Sequence, residues 1–146
     1  MNIRKMTIDD YDGVYSLWVN TPGMGINRVD DSKDGIAKYL NRNPGTCFVA
    51  EKDGNIIGVI LSGHDGRRGF IHHTAVALSE RKQGIGNQLV DCAMAALERE
   101  GIHKAALVVF ANNDTGNGFW ENRGFTPRED LVYRNKNIAE LERMDT

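Results

Sequence analysis

The 146-residue chain has little cysteine, no long apolar run and almost no excess of charge. Each shortage excludes something. Its two cysteines, Cys47 and Cys92, lie far apart without metal-like neighbours, so they argue for neither a disulfide framework nor secretion. Cys47 falls in a strand pattern and Cys92 in a helical one, and both are expected as small core residues. Eighteen Lys and Arg against 20 Asp and Glu give a formal charge of −2, which is no footprint for nucleic acid. No stretch is apolar for long enough to span a bilayer, so no membrane partner is expected. The opening MNIRKMTIDD is charged and lacks an apolar signal core. A soluble cytoplasmic protein of one domain over 1–146 is the expectation.

What the chain does have is alternation of strand and helix patterns. Residues 1–6 form a strand candidate, and Thr7 with Asp10 resembles a capping box. Tyr11, Val14, Tyr15 and Trp18 follow at helical spacing, and Thr21-Pro22-Gly23-Met24-Gly25 breaks that helix. Asp31 is read as the cap of a second helix carrying Ile36, Tyr39 and Leu40, which Asn43-Pro44-Gly45 ends. Strands are expected over 46–52 and 56–64, joined by the hairpin signal Asp53-Gly54-Asn55. A third strand spans 70–78. A helix from Gly84 to Gly101 shows Ile85, Leu89, Ala93, Ala96 and Leu97 on one face. The run 105–110 reads as a buried strand parallel to 70–78, and 115–123 as a short helix closed by Gly124. Two further strands, 125–127 and 131–134, and a frayed helix from Asn137 complete the reading. The fold class is α/β in the mixed α+β sense: a mixed, mostly antiparallel sheet with helices on both faces.

Glycine weakens a helix interior, yet Gly84-Ile85-Gly86 opens a helix directly after Arg81-Lys82-Gln83. A helix N-terminus carries unpaired N–H groups and partial positive charge, and glycine admits a ligand to the backbone. The combination suits an anion, usually phosphate. A Walker A loop is excluded because Asn87-Gln88 follows the second glycine. A dinucleotide fingerprint is disfavoured by Leu89 at its third small position and by the lack of an acidic residue at the end of the next strand, which closes on Val109-Phe110-Ala111 with Asn112 beyond.

Arg81-x-x-Gly84-x-Gly86 after an apolar strand resembles the acyl-CoA pyrophosphate loop of the GNAT superfamily of N-acetyltransferases. Asn113-Asp114-Thr115-Gly116-Asn117-Gly118-Phe119-Trp120, running on to Gly124-Phe125, resembles that family's late motif, in the right order and separation. The resemblance implies a splayed central pair of parallel strands and acetyl-CoA as acyl donor. It implies backbone contacts to the pyrophosphate from Lys82, Gln83, Gly84, Ile85, Gly86 and Asn87, with Arg81 beside them. It also implies pantetheine contacts along Thr74, Ala75, Val76, Ala77 and Leu78 and at Asn113, with Phe119 and Trp120 lining the cofactor side. The other expected partner is an amine acceptor, a small molecule or a protein N-terminus. A homodimer is left open.

Acyl transfer to an amine needs a base for the amine proton and donors for the oxyanion. Many relatives use a tyrosine of the late motif as acid toward the thiolate. Here that position is Trp120, whose indole N–H is no usable acid, and 107–110 carries no titratable group. Either the thiolate leaves unassisted or Tyr133 serves as a reserve acid. His72 and His73 are the base candidates, and since neighbours in a strand face opposite ways only one of them is expected to look into the cleft. The resemblance to relatives that acetylate arylalkylamines, which carry histidines on this strand, puts His72 first. The same alternation makes them poor metal ligands as a pair, so no metal is expected. His64 and His103 are read as solvated. The resemblance implies an acceptor pocket walled by the loop between the first two helices, 18–31, with Met24, Asn27, Arg28, Asp30 and Asp31 in view. A non-catalytic acyl-CoA-binding or sensing module is the alternative function.

Overall fold

The computed structural model describes residues 1–144. Its elements are β1 (Asn2–Lys5), α1 (Tyr11–Val19), α2 (Lys33–Arg42), β2 (Phe48–Lys52), β3 (Asn55–His64), β4 (Gly69–Val76), α3 (Ile85–Arg99), β5 (Ala105–Ala106) and α4 (Asp114–Asn122). The five strands lie in chain order in one sheet, antiparallel except for the parallel pair β4–β5.

Period-two alternation sends side chains to two separate cores. Val49, Val59 and Leu61 face one way, onto Met6, Val14, Trp18, Ile36 and Leu40 from the α1–α2 side. Phe48, Ala50 and Ile60 face the other way, onto Ile85, Leu89, Ala93 and Ala96 of α3. Helices therefore cover both faces. Gly58 lets α3 lie close, since a Cβ there would sit 3.0 Å from Leu89 Cδ1. Cys47 is buried, and burial pushes its thiol up to about 12, which leaves it inert packing. Cys92 is only half-buried.

The capping box at Thr7 and Asp10 is formed as the sequence suggests. Arg4 meets Asp10 at 2.8 Å and ties β1 to that turn. The second helix, however, is capped by Ser32, whose Oγ accepts from Gly35 N at 3.0 Å. Asp31, one residue earlier, turns inward instead. His64 is also not simply solvated: its Nε2 lies 2.7 Å from Glu100 Oε1.

The larger differences lie after α3. The expected strand 105–110 pairs only at Ala105 and Ala106. Among the described residues, 125–127 and 131–134 form no strand and the tail forms no helix. Consequently β5 ends the sheet, and the parallel pair is an edge pair rather than a central one. The tail instead bridges to the α1–α2 loop at Asn27 and Arg143. Among the described residues, no helix is long and apolar enough to cross a membrane.

Candidate active site

β4 and β5 share only two pairs, Gly69 with Ala105 and Phe70 with Ala106. Beyond them the two segments separate, and a cavity of about 880 Å³ opens between 71–76 and 107–110. Such a gap between diverging strands, closed by helix termini, is where an open sheet holds a ligand.

At one end of the cavity stands the N-terminus of α3. Gly84 occupies the N-cap with φ +78° and offers no side-chain cap. Lys82 also has positive φ, at +65°. The first amide to bond back along the helix is Gln88 N, to Gly84 O at 3.0 Å. The amides of Ile85, Gly86 and Asn87 therefore lack intrahelical partners, and all three residues line the cavity. Successive backbone N–H groups in this alternating conformation form an anion-binding concavity. Arg81 is held there by its Nε bond to Val76 O at 3.2 Å. Glu80 is paired with Lys52 at 3.1 Å, which leaves Arg81 and Lys82 to set the local sign. Gly86 has a packing reason of its own: a Cβ would lie 3.1 Å from the Phe119 ring.

The expected cofactor residues fall mostly on this cavity. Thr74, Ala75, Val76 and Leu78 line it from the β4 side, and Arg81, Lys82, Gly84, Ile85, Gly86 and Asn87 from the loop and α3. Asn113, Phe119 and Trp120 line it from α4; Ala77 and Gln83 do not. Asn113 also caps α4, its Oδ1 accepting from Gly116 N at 2.9 Å. Trp120 is mainly packing, edge-on to Phe119 at 5.0 Å and to Phe125 at 5.1 Å. Thr74 Oγ1 is buried without a hydrogen-bond partner.

The other end is built from β4 and the α1–α2 loop. The register moves from Leu61 opposite His72 to Val59 opposite Ala75, so β4 carries one extra residue, a β-bulge. His73 sits in it with φ +42°. The bulge breaks the alternation expected of His72 and His73, and both line the cavity. His73 Nε2 lies 2.9 Å from Oδ1 of Asp31. His72 packs against Phe70 at 4.6 Å and edge-on to Tyr39 at 5.7 Å. Loss of water around it, reinforced by His73, pulls its pKa down to about 4. Tyr133 is not brought to the cavity; it is 68% exposed. Of the loop candidates, Met24 lines the cavity while Asn27, Arg28 and Asp30 do not. Trp18 is fully buried core.

Two contacts at this end carry no sequence signal, although Asp31 itself stands among the acceptor candidates. Gly25 lies over Phe110, where a Cβ would come within 2.9 Å of the ring, and so brings the loop onto the cavity wall. Asp31 meets His73 across 42 residues, a separation no local motif encodes.

The sequence model of the acetyltransferase (GNAT) family matches residues 11–125. An acetyltransferase of Pectobacterium atrosepticum is 32% identical over 121 residues, covering 83% of this chain and 84% of the relative. Ard1 from Thermoplasma volcanium superposes with a TM-score of 0.76 at 21% identity, over 86% of this chain and 82% of that one. The PaiA N-acetyltransferase from Thermoplasma acidophilum, in complex with coenzyme A, gives 0.74 at 18% identity, over 88% and 91%.

Proposed function

Because the chain belongs to the GNAT acetyltransferase family, we propose that it transfers an acetyl group from acetyl-CoA to a primary amine, a small molecule or a protein N-terminus. The observation that carries the reading is the uncapped N-terminus of α3 opening into the gap between β4 and β5. Its unpartnered amides, with Arg81 and Lys82, suit a pyrophosphate. A pantetheine-sized arm fits along the 74–76 edge, which β5 leaves unpaired beyond Phe70. The PaiA complex with coenzyme A supports the same donor.

The thioester then lies toward the histidine end of the cavity. An amine nitrogen attacks the carbonyl carbon, and a side chain at this end receives its proton. The cavity offers no tyrosine acid at position 120, and 107–110 supplies no titratable group. The thiolate leaves without help from either place. That same lack favours the second reading, a module that binds acyl-CoA without turnover.

Calorimetry with CoA and a free-thiol assay with acetyl-CoA test both. The acceptor panel is phenethylamine, spermidine and an alanine-led peptide. The expected result is CoA binding together with thiol release that depends on one of these amines. Binding without amine-dependent release selects the binding module, and absence of CoA binding overturns both.

A further inference from the structure

We propose that Asp31 and His73 act as a dyad in which Asp31 positions His73 and His73 takes the proton of the attacking amine. The inference rests on the acetyltransferase reading and assigns a role that the family resemblance gave first to His72.

Asp31 is 5% exposed and is fixed from several sides. Its Oδ2 accepts the Asn27 N–H at 2.8 Å, and its backbone oxygen accepts the Tyr11 hydroxyl at 2.6 Å. Asn27 is itself locked, its Oδ1 accepting the N–H groups of Val29 and Asp30 at 3.0 and 2.7 Å. What remains of the carboxylate is Oδ1, which meets His73 Nε2 at 2.9 Å.

A carboxylate only accepts, so this contact places the imidazole proton on Nε2. Nδ1 is left with a bare lone pair, and no protein group among the described residues hydrogen-bonds it. The ring is held as well as its tautomer. Trp18 packs edge-on to it at 5.2 Å and donates its indole N–H to the His73 carbonyl at 3.0 Å. His73 is a non-glycine residue at positive φ, a conformation that persists only where its surroundings over-determine it. That strain stands on the wall of the cavity. Among the described residues His72 has no carboxylate partner, and it packs against Phe70 and Tyr39 instead.

The step balances within the site. The neutral amine nitrogen forms a bond to the thioester carbon, and the C–S bond breaks with its electron pair leaving on sulfur. The nitrogen gives one proton to His73 Nδ1, and His73 returns it to the thiolate. Asp31 stabilises the imidazolium between the two transfers.

The test uses the full chain labelled with ¹⁵N, with long-range ¹H–¹⁵N spectra of the histidines and His73→Gln to assign the signal. At neutral pH the expected result is a single Nε2–H tautomer for His73. In Asp31→Asn the same signal becomes a tautomer mixture, with circular dichroism checking that the variant is folded. With an amine from the panel, His73→Gln lowers kcat about 10²-fold or more, and Asp31→Asn at least about tenfold. KM for acetyl-CoA stays within about twofold in both, because the anion end of the cavity is untouched. An Nδ1–H tautomer in the wild type, or one tautomer surviving Asp31→Asn, overturns the dyad. Turnover that survives His73→Gln but not His72→Gln overturns the role of His73 alone. A wild type that binds no CoA and acetylates no amine overturns the acetyltransferase reading itself and this role with it.

Discussion

Trp18 donates its indole N–H to the carbonyl oxygen of His73 across 3.0 Å, joining helix α1 to the bulge of β4. The bond satisfies a carbonyl that the bulge takes out of the sheet ladder. Trp18→Phe removes the donor and leaves a void where a fully buried indole stood. The expected loss is about 1–3 kcal/mol of unfolding free energy, read from urea denaturation. A loss below about 0.5 kcal/mol means that the bulge is held without this bond.

Gly84 and Gly86 differ in why they are glycine. Gly84 has open space around its missing Cβ but a φ of +78°. Gly86 faces Phe119, which must shift by a few tenths of an ångström to admit a methyl group 3.1 Å away. Gly86→Ala is therefore expected to weaken CoA several-fold, and Gly86→Asp to abolish binding by adding a negative charge at the anion site. Calorimetry with CoA on folded variants is the check. Equal affinity for wild type and Gly86→Asp moves the pyrophosphate elsewhere.

The same two glycines show what was legible in the chain. Their spacing after a strand, with Arg81 before them, marks the uncapped helix end of the cavity, because backbone geometry there depends on residue type. Binary alternation likewise separates the faces of β2 and β3. The histidine end was less legible. The extra residue in β4 defeats a period-two argument about His72 and His73, and nothing in His72-His73-Thr74 announces a bulge. Ser32 rather than Asp31 caps α2, a one-residue ambiguity inherent in adjacent capping residues. Local propensity at Leu131, Val132 and Tyr133 favours strand, yet those residues are exposed and unpaired, since strands form only where an edge receives them.

The depressed pKa of His72, about 4, has a consequence for stability. The unfolded chain takes up this proton near the ordinary histidine value of about 6.5. The native protein does not take it up until about pH 4. Between these values the unfolded state binds more protons, so unfolding free energy falls as pH falls through the window. His72→Gln is expected to flatten that slope between about pH 6.5 and 4, measured by denaturant titration at several pH values. The Asp10 contribution is separate. Its carboxyl is held low chiefly by the Arg4 hydrogen bond, so its stabilisation is lost only at still lower pH. An unchanged slope in His72→Gln means that the ring is not short of water in the native state.

Trp120 stands where an acid is expected and is packed between two phenylalanine rings. Trp120→Phe keeps an aromatic ring and loses the indole N–H. Turnover is expected to remain within about threefold, while stability falls by about 1–2 kcal/mol from lost volume. A collapse of kcat in a folded Trp120→Phe assigns the indole a role in the reaction.

Asn113 has two jobs that substitution can separate. Its Oδ1 caps α4 through Gly116 N at 2.9 Å, while the residue also lines the cavity. Asn113→Ala removes the cap and the amide donor together, so stability is expected to fall by about 0.5–2 kcal/mol and CoA affinity to fall as well. Asn113→Asp retains an acceptor for Gly116 N and adds a favourable charge at a helix N-terminus, so stability is expected to hold. It lacks the NH₂ donor and brings a carboxylate toward the acyl arm, so CoA affinity is expected to drop several-fold regardless. Thermal unfolding and CoA calorimetry on the two variants, side by side, read the two jobs independently. If Asn113→Asp binds CoA as tightly as the wild type, the side chain is a helix cap alone and the pantetheine contact belongs to another residue.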